Sequence, residues 1–215
     1  MPATSNLPGL DRLITVCQQH SLPLELSPPL ASAPRHGELV FGEPFDPQLA
    51  ALYQRLGAAE LGELTLFGPH SGDHGLIPNN EELRKYDWEP ARSMFFFGKE
   101  TGFAYYLGTV PRLANSQGLQ PVVYIDCHEG IYVFPVASSV DRFFHLYSRY
   151  LELLVADPGY GQSGVILPGF PWDMTHLITR DELLMEQVLA GRFDFLADDY
   201  RGALEWLHKL RTARP

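Results

Sequence analysis

Two doubled-back apolar runs constrain this chain more than any other feature: "SMFFFGKETGFAYYLGT" from Ser93 to Thr109, and "QPVVYIDCHEGIYVFPV" from Gln120 to Val136. Met94 to Phe97 is uninterrupted apolar sequence, as is most of Phe103 to Leu107. Runs of that length without alternation suit strands covered on both faces or central in a sheet. Gly98 to Gly102 supplies turn residues between the first pair. In the second, Val122 to Asp126 and Ile131 to Phe134 flank Cys127, His128, Glu129 and Gly130. The pattern predicts two hairpins, hence four strands.

Helical patterns surround them. "GLDRLITVCQQH" sets Leu10, Leu13, Ile14 and Cys17 on one face. Pro23, Pro28, Pro29 and Pro34 then break the pattern, and Ser27 to Gly37 reads as a linker. "PFDPQLAALYQRLG" offers Asp46 as N-cap, Pro47 at the first helical position, an apolar stripe of Leu49, Leu52, Tyr53 and Leu56, and Gly57 as stop. "GELTLFG" reads as one short strand, and "NNEELRKYDW" as a polar helix or turn. Ser138 with Asp141 approximates a capping box before a helix whose apolar face carries Val140, Phe143, Phe144, Tyr147, Leu151 and Leu154. Thr179 with Glu182 caps "RDELLMEQVLAG", and a last helix spans about Phe195 to Arg211. Helix, strand, two hairpins and then helices is the order of an α+β fold. It divides into an N-terminal helix and linker (1–37), a core (38–157) and a C-terminal extension (158–215).

The 215 residues suffice to bury a core without metal or disulfide. Cys17 and Cys127 are the only cysteines and form no CxxC, which fits a reducing compartment. The N-terminus lacks a basic region followed by an apolar one, and no run of about 18 apolar residues occurs. A cytoplasmic location is the expectation. The net charge of −10 opposes binding to nucleic acid or an anionic membrane and favours a basic partner.

Motifs that suggest chemistry fail on context. In "FGKETG" the residues after Gly98 and Lys99 are Glu100 and Thr101, where a phosphate loop needs Ser or Thr directly and then a helix. "GYGQSG" matches the dinucleotide glycine spacing at Gly159, Gly161 and Gly164, but follows a helix and Pro158 in place of a strand. "HSGDH" groups His70, Asp73 and His74, yet Gly72 and Gly75 oppose the helix that would bring both histidines to one metal. Cys127 and His128 point to opposite faces if extended, whereas Asp126 and His128 share one. Loop aromatics Tyr160, Phe170 and Trp172 either plug the body or anchor an interface, and Asp194, Asp198 and Asp199 form an acidic cluster.

The helix "DPQLAALYQRLG", the hairpin "FFFGKETGFAYYLG" and the segment "VVYIDCHEGIYVFPVASSVDRFFHLY", in that order, resemble the SUKH superfamily over about Phe45 to Val155. Leu56 and Gly57 stand at the family's helix end, Phe97, Gly98 and Gly102 at its first turn, and Val140, Phe143 and Phe144 in its final helix. The resemblance implies an α+β fold whose mixed, largely antiparallel sheet is wrapped on one side by helices, here with additional C-terminal helices. Bacterial members are commonly immunity proteins that bind toxins, often nucleases, and eukaryotic relatives look like regulators or scaffolds. No shared catalytic set or cofactor comes with the family. The expectation is therefore a protein-binding domain that neutralises a basic toxin. Its candidate contact residues are Asp126, Glu129, Tyr160, Trp172, Asp198 and Asp199, with no catalytic residue, metal or cofactor. The rival is a small metal-dependent hydrolase built on Asp126, His128 and Glu129 or on His70, Asp73 and His74; a regulatory scaffold is the third reading.

Overall fold

The structure, a computed structural model, describes residues 6–29, 33–68, 75–85, 89–100, 104–128, 132–197 and 201–213. In chain order, α1 (Pro8–Gln19), β1 (Leu24–Leu26), β2 (Leu39–Val40), β3 (Glu43–Pro44), α2 (Pro47–Arg55), β4 (Ala59–Leu61) and β5 (Leu64–Leu66) make the first part. Next come α3 (Leu76–Leu83), α4 (Glu89–Ser93), β6 (Phe95–Glu100), β7 (Tyr105–Thr109), β8 (Val122–Asp126), β9 (Tyr132–Ala137) and α5 (Val140–Ala156). The C-terminal part holds α6 (Thr175–Ile178), α7 (Glu182–Leu189), α8 (Asp194–Ala197) and α9 (Arg201–Thr212). The fold is α+β, with a seven-stranded sheet in the order β1-β4-β5-β6-β7-β8-β9 and a separate β2–β3 ribbon. Every pairing between these strands is antiparallel.

The two hairpins form the β6–β9 half of the sheet, with one shift from the sequence reading. Gly98, Lys99 and Glu100 belong to β6 and not to its turn. Gly98 is there for clearance: a Cβ would stand 2.9 Å from the Thr65 carbonyl oxygen of β5. The register slips between Phe96 and Gly98, as a bulge does, and the Asn80 carboxamide of α3 pairs with both backbone groups of Phe96, at 2.8 and 2.6 Å. "GELTLFG" and the residues before it hold two strands, β4 and β5, because Gly62 turns the chain at φ 66.

One face of the sheet carries Leu61, Leu64, Leu107, Tyr124 and Phe134, and α5 lies over it. Phe143 of α5 meets Phe97 of β6, and Phe170, from the loop after α5, wedges between Tyr124 of the sheet and Tyr147 and Tyr150 of the helix. The first 37 residues, expected as helix and linker, supply α1 along α5 and β1 at the sheet's edge. Leu10, Leu13 and Cys17 are fully buried there.

Capping departs from the sequence pattern in an informative way. Asp46 caps α2 as expected, accepting from the Gln48 and Leu49 amides, and its second oxygen reaches the Gln120 amide ahead of β8. The cap of α5 is Ser139, not Ser138, and Asp141 accepts from Gly9 and Leu10, so it caps α1. The cap of α7 is Asp181, not Thr179. Its other oxygen accepts from Ser138, which ties α7 to the start of α5.

Candidate functional site

β9 is the last strand of the sheet, and α9 covers its outer edge. Pro135 lacks an N–H to offer a neighbouring strand, and its carbonyl takes the Trp206 indole N–H at 3.1 Å. α9 can start so close because Gly202 sits against the Tyr132 ring, where a Cβ would come within 2.1 Å of a ring carbon. Between α9, the ends of β8 and β9, and the loop carrying Trp172 lies a cleft of about 360 Å³. Its walls are aromatic: Tyr132, Phe134, Trp172 and Trp206. Phe134 stands at the centre, with ring centroids 5.3 Å from Trp172 and 5.4 Å from Trp206, both edge-on. Such contacts fix ring orientation beyond what area burial does. Trp172 also packs edge-on against Tyr105 and Tyr124, which makes it both a plug of the core and a wall of the cleft.

Charged groups ring the opening. Asp126 and Glu205 bring carboxylates, and Arg201 and Lys209 bring cations. Arg201 is held by Glu205 at 2.7 Å, and Lys209 donates to the Trp172 carbonyl at 2.6 Å. The Asp126 carboxylate accepts from the His128 amide at 2.8 Å, so one oxygen shapes the β8–β9 turn.

Beneath Trp172, the Tyr124 hydroxyl donates to the Glu100 carboxylate in a short hydrogen bond. Burial pushes the Glu100 carboxyl up to about 7, and the Tyr124 hydrogen bond offsets part of that rise. Burial likewise raises Tyr124 and Tyr147. The Tyr147 hydroxyl is buried without a hydrogen-bond partner among the described residues. Burial, with the Asp126 carboxylate adding, pushes the Cys127 thiol up to about 11. A thiol nucleophile needs the opposite shift.

The structure therefore brings Asp126 and Trp172 to one cleft. Tyr160 is exposed in the turn after α5 and does not line it. Glu129, Asp198 and Asp199 lie outside the described residues, as do His70, Asp73 and His74. Sequence reasoning missed Tyr132, Phe134 and Trp206. The usable signal was the Tyr-Val-Phe alternation of β9, which puts Tyr132 and Phe134 on one face. Among the described residues, no three His, Cys, Asp or Glu side chains gather as metal ligands, and no helix is long and apolar enough to cross a membrane.

No known family, curated protein or solved structure matches this chain.

Proposed function

We propose that this chain is an intracellular protein-binding domain that neutralises a basic toxin, as the SUKH resemblance implies. The observation that carries this reading is the aromatic cleft at the β9 edge. Tyr132 and Trp172, half-buried and preset by contact with the closed ring of Phe134, offer low-entropy anchor surface of the kind typical of energetic centres in protein interfaces. Asp126 and Glu205 at its rim, together with the net charge of −10, suit a partner side chain ending in a cation. Arg or Lys from the partner would lie over the Trp172 or Tyr132 face and reach the Asp126 carboxylate. Long-range attraction from the acidic surface would raise the association rate with a basic nuclease.

The test is co-purification with the product of the neighbouring gene and rescue of that product's toxicity in cells. Rescue by the native chain and its loss in Trp172→Ala with unchanged abundance support the reading. Neither capture nor rescue, with both proteins folded, defeats it.

A further inference from the structure

A second site lies near Val136, toward the other end of β9 from the cleft, where the first half of α5 meets the corner between α6 and α7. A pocket of about 80 Å³ opens there between Arg142, His145 and Arg149 of α5 and Arg180 and Asp181 ahead of α7. Its floor is apolar, formed by Leu146, Leu177 and Ile178. It adjoins a groove that shares Arg142, His145, Arg180 and Asp181, runs past Ser138 and Ser139, and carries its further carboxylates, Asp141 and Glu182, outside the pocket itself.

The charge balance of this pocket is unlike that of the whole chain. Three guanidinium groups line it against one carboxylate, in a protein of net charge −10. That carboxylate is already committed: the Asp181 oxygens accept from the Ser138 amide at 2.8 Å and the Leu184 amide at 3.2 Å. Arg142 Nε is 3.9 Å from it, beyond hydrogen-bond reach. Arg149 shares Glu152 with Arg12, so one carboxylate serves two cations. Among the described residues Arg180 has no ion pair, and its carbonyl instead accepts from Arg142 at 3.3 Å. The His145 pKa is lowered by burial first and then by Arg142, Arg12 and Arg149, against the opposing pull of Asp141. Its imidazole is thus held toward the neutral form by burial and, to a smaller extent, by the guanidinium charge around it.

Arginine forks clustered with spare donors over an apolar floor match an oxyanion with several acceptor oxygens that carries a compact organic group, as a phosphate monoester does. We propose that this pocket binds a small-molecule phosphate monoester, the phosphate held by Arg142, Arg149 and Arg180 and the organic part resting on Leu146, Leu177 and Ile178. The site is separate from the aromatic cleft and does not depend on the toxin-binding reading.

Phenyl phosphate and inorganic phosphate are the probes, titrated calorimetrically into the full chain, with His145 followed by NMR. Phenyl phosphate should bind one to one, with inorganic phosphate at least about tenfold weaker because it forgoes the apolar floor. Arg180→Ala should weaken phenyl phosphate at least about tenfold, while Arg35→Ala, on an unrelated exposed segment, should leave it unchanged. The Arg180 side chain is exposed, so the melting temperature of Arg180→Ala should match the native chain. Saturation with phenyl phosphate should raise the His145 pKa, because a dianion offsets the surrounding guanidinium charge. Absence of phenyl phosphate binding at about 10 mM, equal binding of inorganic phosphate, indifference to Arg180→Ala, or an unmoved His145 would each overturn the proposal.

Discussion

Phe170 and Trp172 stand two residues apart in one loop and serve different parts of the molecule. Phe170 is 3% exposed and touches Tyr124, Phe143, Tyr147 and Tyr150, so it joins the helical layer to the sheet. Trp172 shares Tyr124 with it, but turns its remaining surface to the cleft beside β9. Under α5, apolar groups are closed on all sides and polar ones are few. At the β9 edge, Tyr132 and Trp172 stay half-buried with charges at the rim, while Phe134 and Trp206 behind them are as closed as Phe170. Residue type alone therefore does not tell a core aromatic from a contact aromatic; what separates them is whether a second layer closes over the ring.

Substitution of this pair is the strongest way to break that distinction. Phe170→Ala should cost about 3–5 kcal/mol of unfolding free energy, as large-to-small changes in closed cores do. Trp172→Ala should cost less than half as much in the same denaturant titration, while removing partner capture. Equal losses of stability from both would dissolve the contrast between the two regions.

A second measurement sharpens it through pH. Glu100 lies between the regions, and its folded carboxyl titrates near 7 where the unfolded group titrates near 4.5. The folded state holds its proton more tightly, so stability is greatest below the unfolded value and falls as pH rises through the folded one. Glu100→Gln keeps an acceptor for the Tyr124 hydroxyl and has no charge to bury. It should match the native chain near pH 4 and exceed it by about 3 kcal/mol near pH 8, read from denaturation midpoints across that range. A native chain whose stability climbs over the same interval would contradict the burial of this carboxyl.

The smallest expected effect is at the cap of α1. Asp141→Ala should cost about 1 kcal/mol, the usual loss for a helix start deprived of its acceptor, and amide exchange should quicken at Gly9 and Leu10 more than elsewhere. Uniform acceleration along α5 would show that Asp141 supports its own helix instead.

Much of the β6–β9 half was legible because its apolar runs are unbroken and their turns are polar. The same holds for α2, where Asp46, Pro47 and the stripe agree at every level. The β4–β5 hairpin was merged into one strand because each strand has only three residues, too few for a period to declare itself. β1 was hidden among prolines, since its pairing with β4 is a tertiary fact with no local signature. Caps misread by one or two residues, Ser138 for Ser139 and Thr179 for Asp181, show several acceptors competing for one helix start. Of the cleft, Asp126 and Trp172 could be picked out from their polar turn and glycine-proline loop. Trp206 could not, because its helical spacing is that of a core residue and only the course of α9 along β9 places it at the edge.

The carboxylate that closes the start of α1 lies 132 residues further along the chain. During synthesis, the first helix therefore leaves the ribosome long before the surface that seats it exists. Its apolar side, with Leu10, Leu13 and Cys17, must wait without its seat until α5 emerges, and only then can this helix find its place.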